Sequence, residues 1–289
     1  MIKPIGHPRY KKITDNSDYF FFVNSNSLAE DIAFIKKNEI ENVCLSQYDN
    51  YGLLDVLPIV DIDCIRKLRI YVKKVDLKGL SRLTYLEDLS VGEEYTNLAL
   101  NNLSNLRSLY LINGKFTGLQ TLRSLKELTI INGNVAAFSI DNFMENSSIE
   151  SLSIYNTKGQ IDFSFLCRLK NLRKLDLYNI KTKVDMQLFD SFAETLKELK
   201  VEKCKELEHL EDCLFKYNAL QYLSLIDSVP ISHTETLFQL KSIEIVVVLG
   251  TSYFIDGNIS QLRELRHASI DDKKHYSLKN DQLPKLPYE

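Results

Sequence analysis

The residue types best suited to metal binding lie together in one stretch, at Cys204, His209 and Cys213. Structural zinc is usually held by four cysteine or histidine ligands, and two of them commonly form a closely spaced CxxC pair. This stretch has no such pair and no fourth ligand. We therefore interpret its residues as ordinary structural ones, and we expect no metal here.

An acidic pair, Asp61 and Asp63, resembles the carboxylates with which some enzymes hold a metal ion. The two aspartates alternate with Ile62 and Cys64, and this alternation is also typical of the edge of a β-strand. The second interpretation needs no ligand, so the sequence predicts no metal site at this pair either.

Patterns for phosphate binding and nucleophilic catalysis are missing from the sequence. The ten glycines are scattered, and the segment from Gly114 to Gly118 matches neither the P-loop nor the dinucleotide-binding pattern. A nucleophile and its base must lie within hydrogen-bond distance, and no such pair stands out. We therefore expect no catalysis and no cofactor, and the histidines are dispersed at His7, His209, His233, His267 and His275.

Charge and composition bear on the partners and the compartment of the protein. Lysine and arginine total 36, aspartate and glutamate total 39, and the net charge of −3 leaves no basic surface for nucleic acid or an anionic membrane. The sequence shows neither an apolar leader nor an uninterrupted run of about 18 apolar residues. Five cysteines make no dense disulfide framework. We expect a cytoplasmic protein that binds neither nucleic acid nor membrane.

A repeated apolar pattern dominates the chain, in which leucine occupies 44 of 289 positions. The unit is apolar-x-x-apolar-x-apolar, as in Leu106-x-x-Leu109-x-Leu111, and we call its apolar residues the first, fourth and sixth anchors. All anchors are apolar in eleven aligned copies. The first anchors of these copies are Ile40, Ile65, Leu86, Leu106, Leu125, Ile149, Leu172, Leu196, Leu220, Ile243 and Leu265.

This repeat resembles the leucine-rich-repeat family, and the stretch from Leu77 to Val91 is similar to the short bacterial type that includes internalin-like proteins. The resemblance covers about residues 40 to 270. It implies an α/β solenoid with a parallel β-sheet on the concave face and short helical or irregular return segments on the convex face. Because the fourth and sixth anchors alternate along a strand, they are expected to point inward, where stacked repeats share one core.

One position departs from the family pattern. The family usually has asparagine three residues after the sixth anchor, where it bonds backbone groups of adjacent repeats, but this chain has Gly114, Gly133, Thr157, Ile180 and Cys204 there. Asparagine lies one residue earlier, and two interpretations stay open: an asparagine ladder in altered register, or less regular turns. The earlier asparagines are Asn113, Asn132, Asn156 and Asn179.

The predicted organisation has three parts. Residues 1–39 form an N-terminal segment and cap, with a strand at 19–23 and a helix at 27–37 that opens with a capping box from Ser27 to Glu30. Residues 40–270 form the array of about eleven repeats. Residues 271–289 are polar and form a C-terminal cap or a tail.

The candidate binding residues are those that alternate with the inward anchors and so face outward on the concave sheet. Tyrosine offers a large contact area at low entropic cost, and an exposed row of tyrosine and isoleucine is typical of a binding face. The alternative is that the isoleucines are strand formers tolerated singly on a sheet surface. The candidates are Tyr71, Tyr110, Ile112, Ile131, Tyr155, Tyr178, Tyr222 and Ile226.

The sequence thus predicts a non-catalytic intracellular module that binds a folded protein partner through its concave face. The specific hypothesis is a bacterial immunity protein that neutralises a toxin. The alternatives are a scaffold or sensor adaptor, an exported adhesin or receptor-type repeat protein, and an enzyme built onto the array. The sequence does not specify the oligomeric state.

Overall fold

The computed structural model describes residues 7–13, 18–113, 115–144 and 147–286 of the chain. Gly114, at the position of the family's asparagine, lies outside the described residues. The chain divides into two compact units, Met1–Ile131 and Asn132–Glu289.

The sheet of the first unit has seven strands, which lie side by side in chain order. The first two pair antiparallel and every later pair is parallel. The fourth anchors are in register, with Val43 opposite Leu68, Leu68 opposite Leu89, and Leu109 between Leu89 and Leu128. The strands are Tyr10–Lys12 (β1), Tyr19–Phe22 (β2), Asn42–Ser46 (β3), Lys67–Tyr71 (β4), Asp88–Val91 (β5), Ser108–Ile112 (β6) and Glu127–Ile131 (β7).

The sheet of the second unit has six strands, again in chain order and all parallel. Its fourth anchors also form one row, from Leu152 and Leu175 through Leu199 to Ala268. The strands are Ser151–Tyr155 (β8), Lys174–Tyr178 (β9), Glu198–Glu202 (β10), Tyr222–Ile226 (β11), Ile245–Leu249 (β12) and His267–Ile270 (β13).

The predicted fold is confirmed by the anchors. Each of the eleven copies contains one parallel strand centred on its fourth and sixth anchors, and every one of these anchor side chains is at most 2% exposed. Among the first anchors, only Ile243 lacks full burial. Within each unit, burying apolar side chains from adjacent copies in one row stabilises each repeat through its neighbours.

The return segments are short, as the short repeats require. The α-helices among the described residues are Leu28–Lys37 (α1) and Leu210–Leu214 (α2). Three pairs of two-residue strands also form, namely Val75–Asp76 with Tyr95–Thr96, Leu98–Ala99 with Phe116–Thr117, and Val184–Asp185 with Leu207–Glu208. The 3₁₀ helices are Ser25–Ser27, Gln47–Asp49, Leu57–Ile59, Leu80–Arg82, Leu119–Thr121, Val135–Phe138, Ile140–Asn142, Phe163–Arg168, Met186–Phe192, Thr234–Gln239, Ser260–Glu264 and Asn280–Gln282.

The expected capping box of α1 does not form, so this part of the prediction is wrong. Ser27 is the N-cap residue, yet its side chain makes no capping hydrogen bond. Its hydroxyl instead donates to a carboxylate oxygen of Asp31 at 3.2 Å and accepts from the guanidinium of Arg9 at 2.6 Å. The nearly buried Asp31 also pairs with Arg9, and this network takes the hydroxyl away from the helix end.

The turns after the strands explain the shifted asparagines. Asn113, Asn132, Asn156 and Asn179 all have left-handed backbones, with φ between 52° and 65°. Asparagine tolerates this conformation better than most residues. The backbone N–H of Asn179 donates to the carbonyl of Glu202 at 2.8 Å, and its side-chain amide donates to Asn156 at 2.7 Å. A ladder in altered register is therefore the interpretation that these turns support.

In the later repeats, hydroxyl groups bridge adjacent turns at, or one residue after, the position where the family has asparagine. The backbone N–H of Cys204 donates to Ser228 Oγ at 3.1 Å, and the backbone N–H of Ser228 donates to Ser252 Oγ at 2.9 Å. All three residues are buried. Small side chains can therefore carry inter-repeat hydrogen bonds here.

The C-terminal residues cover the edge of β13. The backbone N–H of Ala268 donates to the carbonyl of Pro284 at 3.1 Å, and that of Ile270 donates to Asn280 Oδ1, also at 3.1 Å. Lys285 Nζ donates to the Ala268 carbonyl at 3.2 Å. These contacts satisfy polar groups that an open edge strand would present to other chains.

Candidate functional site

The outward face of the first strands is covered by the N-terminal segment. Phe22 lies opposite Cys44 in the sheet, and these two residues form a buried cluster with Phe20. Ile13 and Tyr71 pack against this cluster. Tyr71, a predicted binding residue, thus lies against the protein's own side chains.

Two further contacts fix this covered region. The guanidinium of Arg69 lies 5.1 Å from the ring centroid of Phe20 and makes two hydrogen bonds of 2.7 Å to the carboxylate of Asp88. The ring of Tyr71 lies over Gly92, where a Cβ atom would come within 2.7 Å of the ring. Glycine is therefore needed at position 92 for this packing.

The other predicted binding residues of the first unit lie on β6 and β7, the last two strands of its sheet. Ile112 and Ile131 are neighbours on adjacent strands, and Tyr110 lies between Ser90 and Thr129 in the row beside them. Tyr110, Ile112 and Ile131 are half-buried. Partial burial raises the pKa of the Tyr110 hydroxyl above its ordinary value, so this hydroxyl stays protonated and can donate a hydrogen bond.

Two predicted residues of the second unit form a tyrosine pair. Tyr155 and Tyr178 lie opposite each other on β8 and β9, with ring centroids 6.1 Å apart in an edge-to-face arrangement. The Tyr155 hydroxyl donates to Asp176 at 2.8 Å, and Lys203 Nζ donates to the Tyr178 hydroxyl at 3.0 Å. The same ammonium group lies 4.9 Å from the Tyr178 ring centroid. Both rings are therefore oriented by polar contacts.

The charged groups of this network have shifted pKa values. Burial raises the pKa of Asp176, while the hydrogen bond from Tyr155 and the charge of Lys200 act in the opposite direction. The pKa of Lys203 is raised by its hydrogen bond to Tyr178 and by Glu202, whose carboxylate lies 3.3 Å away. Lys203 is therefore positively charged at neutral pH.

A second, apolar group of side chains lies beyond the tyrosine pair, separated from it by β10, whose outward residues are Glu198, Lys200 and Glu202. Tyr222 lies opposite Ile245, and Ile226 lies opposite Leu249 on β11 and β12. Val247 projects between them on the same side, and all five residues are half-buried. Lys200 Nζ lies 5.2 Å from the Tyr222 ring centroid.

Ile245, Val247 and Leu249 were not among the predicted binding residues. The signal that could have identified them is the run Ile-Val-Val-Val-Leu at 245–249, which is apolar at every position. Most other strands alternate apolar with polar residues, so an unbroken run places apolar groups on both faces of the sheet. We define the second-unit patch as Tyr155, Tyr178, Tyr222, Ile226, Ile245, Val247 and Leu249.

The residues considered for metal binding do not come together. His209 is exposed and lies 3.0 Å from Asp185, whereas Cys204 and Cys213 are buried. Burial raises the pKa of the Cys204 thiol to about 11. Across the ranges that the structure describes, no three histidine, cysteine or acidic side chains could hold a metal ion. Among the same residues, no helix has both the length and the apolar character needed to cross a membrane.

The chain matches no protein-family model and no curated protein. Its structure is similar to that of an internalin from Listeria monocytogenes, with a TM-score of 0.60 and 19% identity over 82% of this chain and 77% of the internalin. This likeness shows a shared fold.

Two lower-scoring structures are also similar in part. One is the ectodomain of the Arabidopsis thaliana receptor kinase GASSHO1/SCHENGEN3 in complex with CASPARIAN STRIP INTEGRITY FACTOR 2, with a TM-score of 0.46 and 15% identity over 81% of this chain and 35% of the ectodomain. The other is a leucine-rich-repeat protein from Leptospira interrogans, with a TM-score of 0.42 and 17% identity over 86% of this chain and 83% of that protein. The eleven sequence copies, their in-register parallel strands and the likeness to internalin show that the chain has the leucine-rich-repeat fold.

Proposed function

We propose that the protein is a non-catalytic binding module that holds a folded protein partner on the outward face of its second unit. The observation that carries this proposal is the second-unit patch, in which three tyrosines and four aliphatic residues project from β8 and β9 and from β11 and β12, on the two sides of the charged strand β10. An apolar, tyrosine-rich group on an outward face is typical of protein interfaces.

The tyrosine pair is suited to be the centre of such an interface. Tyrosine is enriched among residues that dominate binding energies, because its ring fills a pocket while its hydroxyl keeps a hydrogen bond. Tyr155 and Tyr178 are already held by Asp176 and Lys203 in the unbound chain. Less side-chain entropy is then lost on binding, which favours affinity.

The polar groups beside the patch also favour binding over catalysis. Asp176 accepts from Tyr155, and Lys203 is engaged by Tyr178 and Glu202. These bonds orient rings, and the arrangement gives no nucleophile with an adjacent base. The proposed activity is therefore occupancy of a partner surface.

We further propose that the protein works in the cytoplasm, as an immunity protein that neutralises a bacterial toxin by covering it. The five cysteines are free thiols, which is consistent with a reducing compartment. A module that acts by occupancy needs a complementary face, and we assign this role to the second-unit patch.

The test is capture of the native partner followed by a protection assay. Tagged protein expressed in its native host should retain one cognate toxin, and its expression should protect cells from that toxin. The double variant Tyr155→Ala with Tyr178→Ala should remain folded and lose most of this protection. Full protection by the folded double variant would exclude the tyrosine pair as the binding centre.

A further inference from the structure

A pocket of about 520 Å³ lies in the second unit beside the ends of β9 and β10. Its charged lining consists of three lysines, Lys181, Lys203 and Lys205, and two acidic residues, Glu206 and Asp227. Three ammonium groups therefore face two carboxylates. The pocket is separate from the apolar part of the second-unit patch, and Lys203 connects it to Tyr178.

The lysines of the pocket belong to a column along the edge of the sheet. Lys158, Lys181 and Lys205 each lie four residues after the sixth anchor of their own repeat, on the turns that follow β8, β9 and β10. Adjacent parallel strands are about 4.8 Å apart, so the column presents positive charges at close intervals. All three lysines are exposed.

Two of these lysines have no ion-pair partner in the part of the chain that the structure describes. Lys181 and Lys205 take part in no ion pair among the described residues, whereas Lys183 nearby pairs with Glu208. Asp227 keeps its negative charge, and its carboxylate accepts from the backbone N–H of Thr251 at 3.2 Å. The lining therefore carries three positive charges against two negative ones, and Lys181 and Lys205 are the ammonium groups open to a ligand.

We infer that this pocket binds an acidic segment of the protein partner, whose carboxylates pair with Lys181 and Lys205. The inference rests on the proposed function and adds a second, electrostatic contact to it. The mixed lining favours a peptide over a nucleic acid, because a peptide can place carboxylates at the lysines and backbone N–H groups at Glu206 and Asp227, whereas a nucleic acid presents a continuous row of phosphates to all of them.

The experiment measures binding of a fluorescent hexaglutamate peptide to the full chain by anisotropy. Wild-type protein should bind at about 20 mM salt and more weakly at about 150 mM, because salt screens exposed charges. The double variant Lys181→Gln with Lys205→Gln should weaken binding about fivefold to tenfold.

The matched control is Lys170→Gln with Lys241→Gln. It removes the same number of charges from exposed lysines that lie before β9 and β12, at the opposite edge of the sheet. Its affinity for the peptide should stay within about twofold of wild type. An equal loss in both double variants, or no binding at low salt, would overturn the inference.

Two further measurements follow. The first identifies the class of ligand, and the second tests the pocket and the proposed function separately. Unlabelled hexaglutamate should displace the probe better than a hexathymidylate oligonucleotide, and the reverse order would overturn the choice of an acidic peptide. The patch variant Val247→Ser with Leu249→Ser should bind hexaglutamate like wild type while losing the native partner. Intact partner binding by that patch variant would count against the proposed function, whereas the peptide titration tests the pocket alone.

Discussion

Asparagine recurs two residues after the sixth anchor because the backbone there is left-handed. Asn156 and Asn179 have φ values of 56° and 52°, and Lys203 and Asp227 have the same conformation in the next two turns. The recurrence of asparagine was visible in the sequence. Its cause was not, because a one-residue shift from the family position fits either an altered ladder or irregular turns until the backbone angles are known.

The left-handed turn leads to a prediction at Asn179. Asn179→Ala should lower the free energy of unfolding by about 1–2 kcal/mol, because a Cβ without a local polar group disfavours this backbone. Asn179→Gly is the matched control, since it also removes the hydrogen bond to Asn156 but accepts positive φ freely. Urea denaturation of both variants measures the difference. Equal stability of the two variants would contradict the conformational explanation.

A second prediction concerns Asp176 and pH. Because burial raises its pKa, the folded chain takes up this proton at a higher pH than the unfolded chain. The resulting stabilisation is full below the unfolded pKa and is lost as pH rises through the folded pKa. The free energy of unfolding of Asp176→Asn should therefore be at least that of wild type at about pH 7. Relative to wild type, it should fall toward about pH 4. Denaturation curves at both pH values measure this change, and an advantage of the variant that grows toward low pH would contradict it.

At the scale of elements, the repeat pattern was sufficient to predict the strands, their parallel pairing and their register. Every fourth and sixth anchor is buried, because the alternation of a strand leaves one face for the core. The same alternation could not show what covers the other face. Cys44 and Tyr71 contact Phe20 and Phe22 because β2 joins the sheet, and this non-local packing has no signature in the repeat.

The extent of the candidate site was underestimated for a related reason. The repeat pattern places Val247 and Leu249 of β12 at outward positions, but the candidate list included neither of them, nor Ile245 on the same strand. The pairs Tyr155–Asp176 and Lys203–Tyr178 depend on side-chain rotamers across strands. Residue spacing alone does not specify rotamers, so these contacts could not be predicted.

The C-terminal segment leads to a prediction for an element. Deleting residues 279–289 removes Asn280 and Pro284, which accept hydrogen bonds from the backbone N–H groups of β13 and cover its edge. We expect a lower melting temperature and concentration-dependent association, because a free edge can pair with another chain. Calorimetry and light scattering measure the two effects. The control is Asn280→Ala, which loses one hydrogen bond and should destabilise the chain by only about 1 kcal/mol. An unchanged melting temperature in the truncated chain would show that the segment is not a cap.

At the scale of the whole molecule, the repeats within each unit contact their neighbours in sequence, so stability is distributed along each unit while binding can be local. The anchors keep the repeats folded, and the outward residues are free to vary with the partner. This division of roles is why a fold could be read from the sequence and a partner could not. We therefore propose a local binding surface, the second-unit patch, for the protein partner.

The most direct test is isothermal titration of the captured partner into wild-type protein and into two variants that replace exposed or half-buried apolar residues on different faces. Val247→Ser with Leu249→Ser alters the patch, whereas Phe215→Ser alters an exposed apolar residue just after α2 on a return segment. Both variants should remain folded by circular dichroism. We expect the patch variant to raise Kd by at least about thirtyfold, corresponding to about 2 kcal/mol, and the Phe215 variant to change it less than about threefold. An unchanged Kd for the folded patch variant, or a larger loss at Phe215, would contradict the assignment of the binding surface.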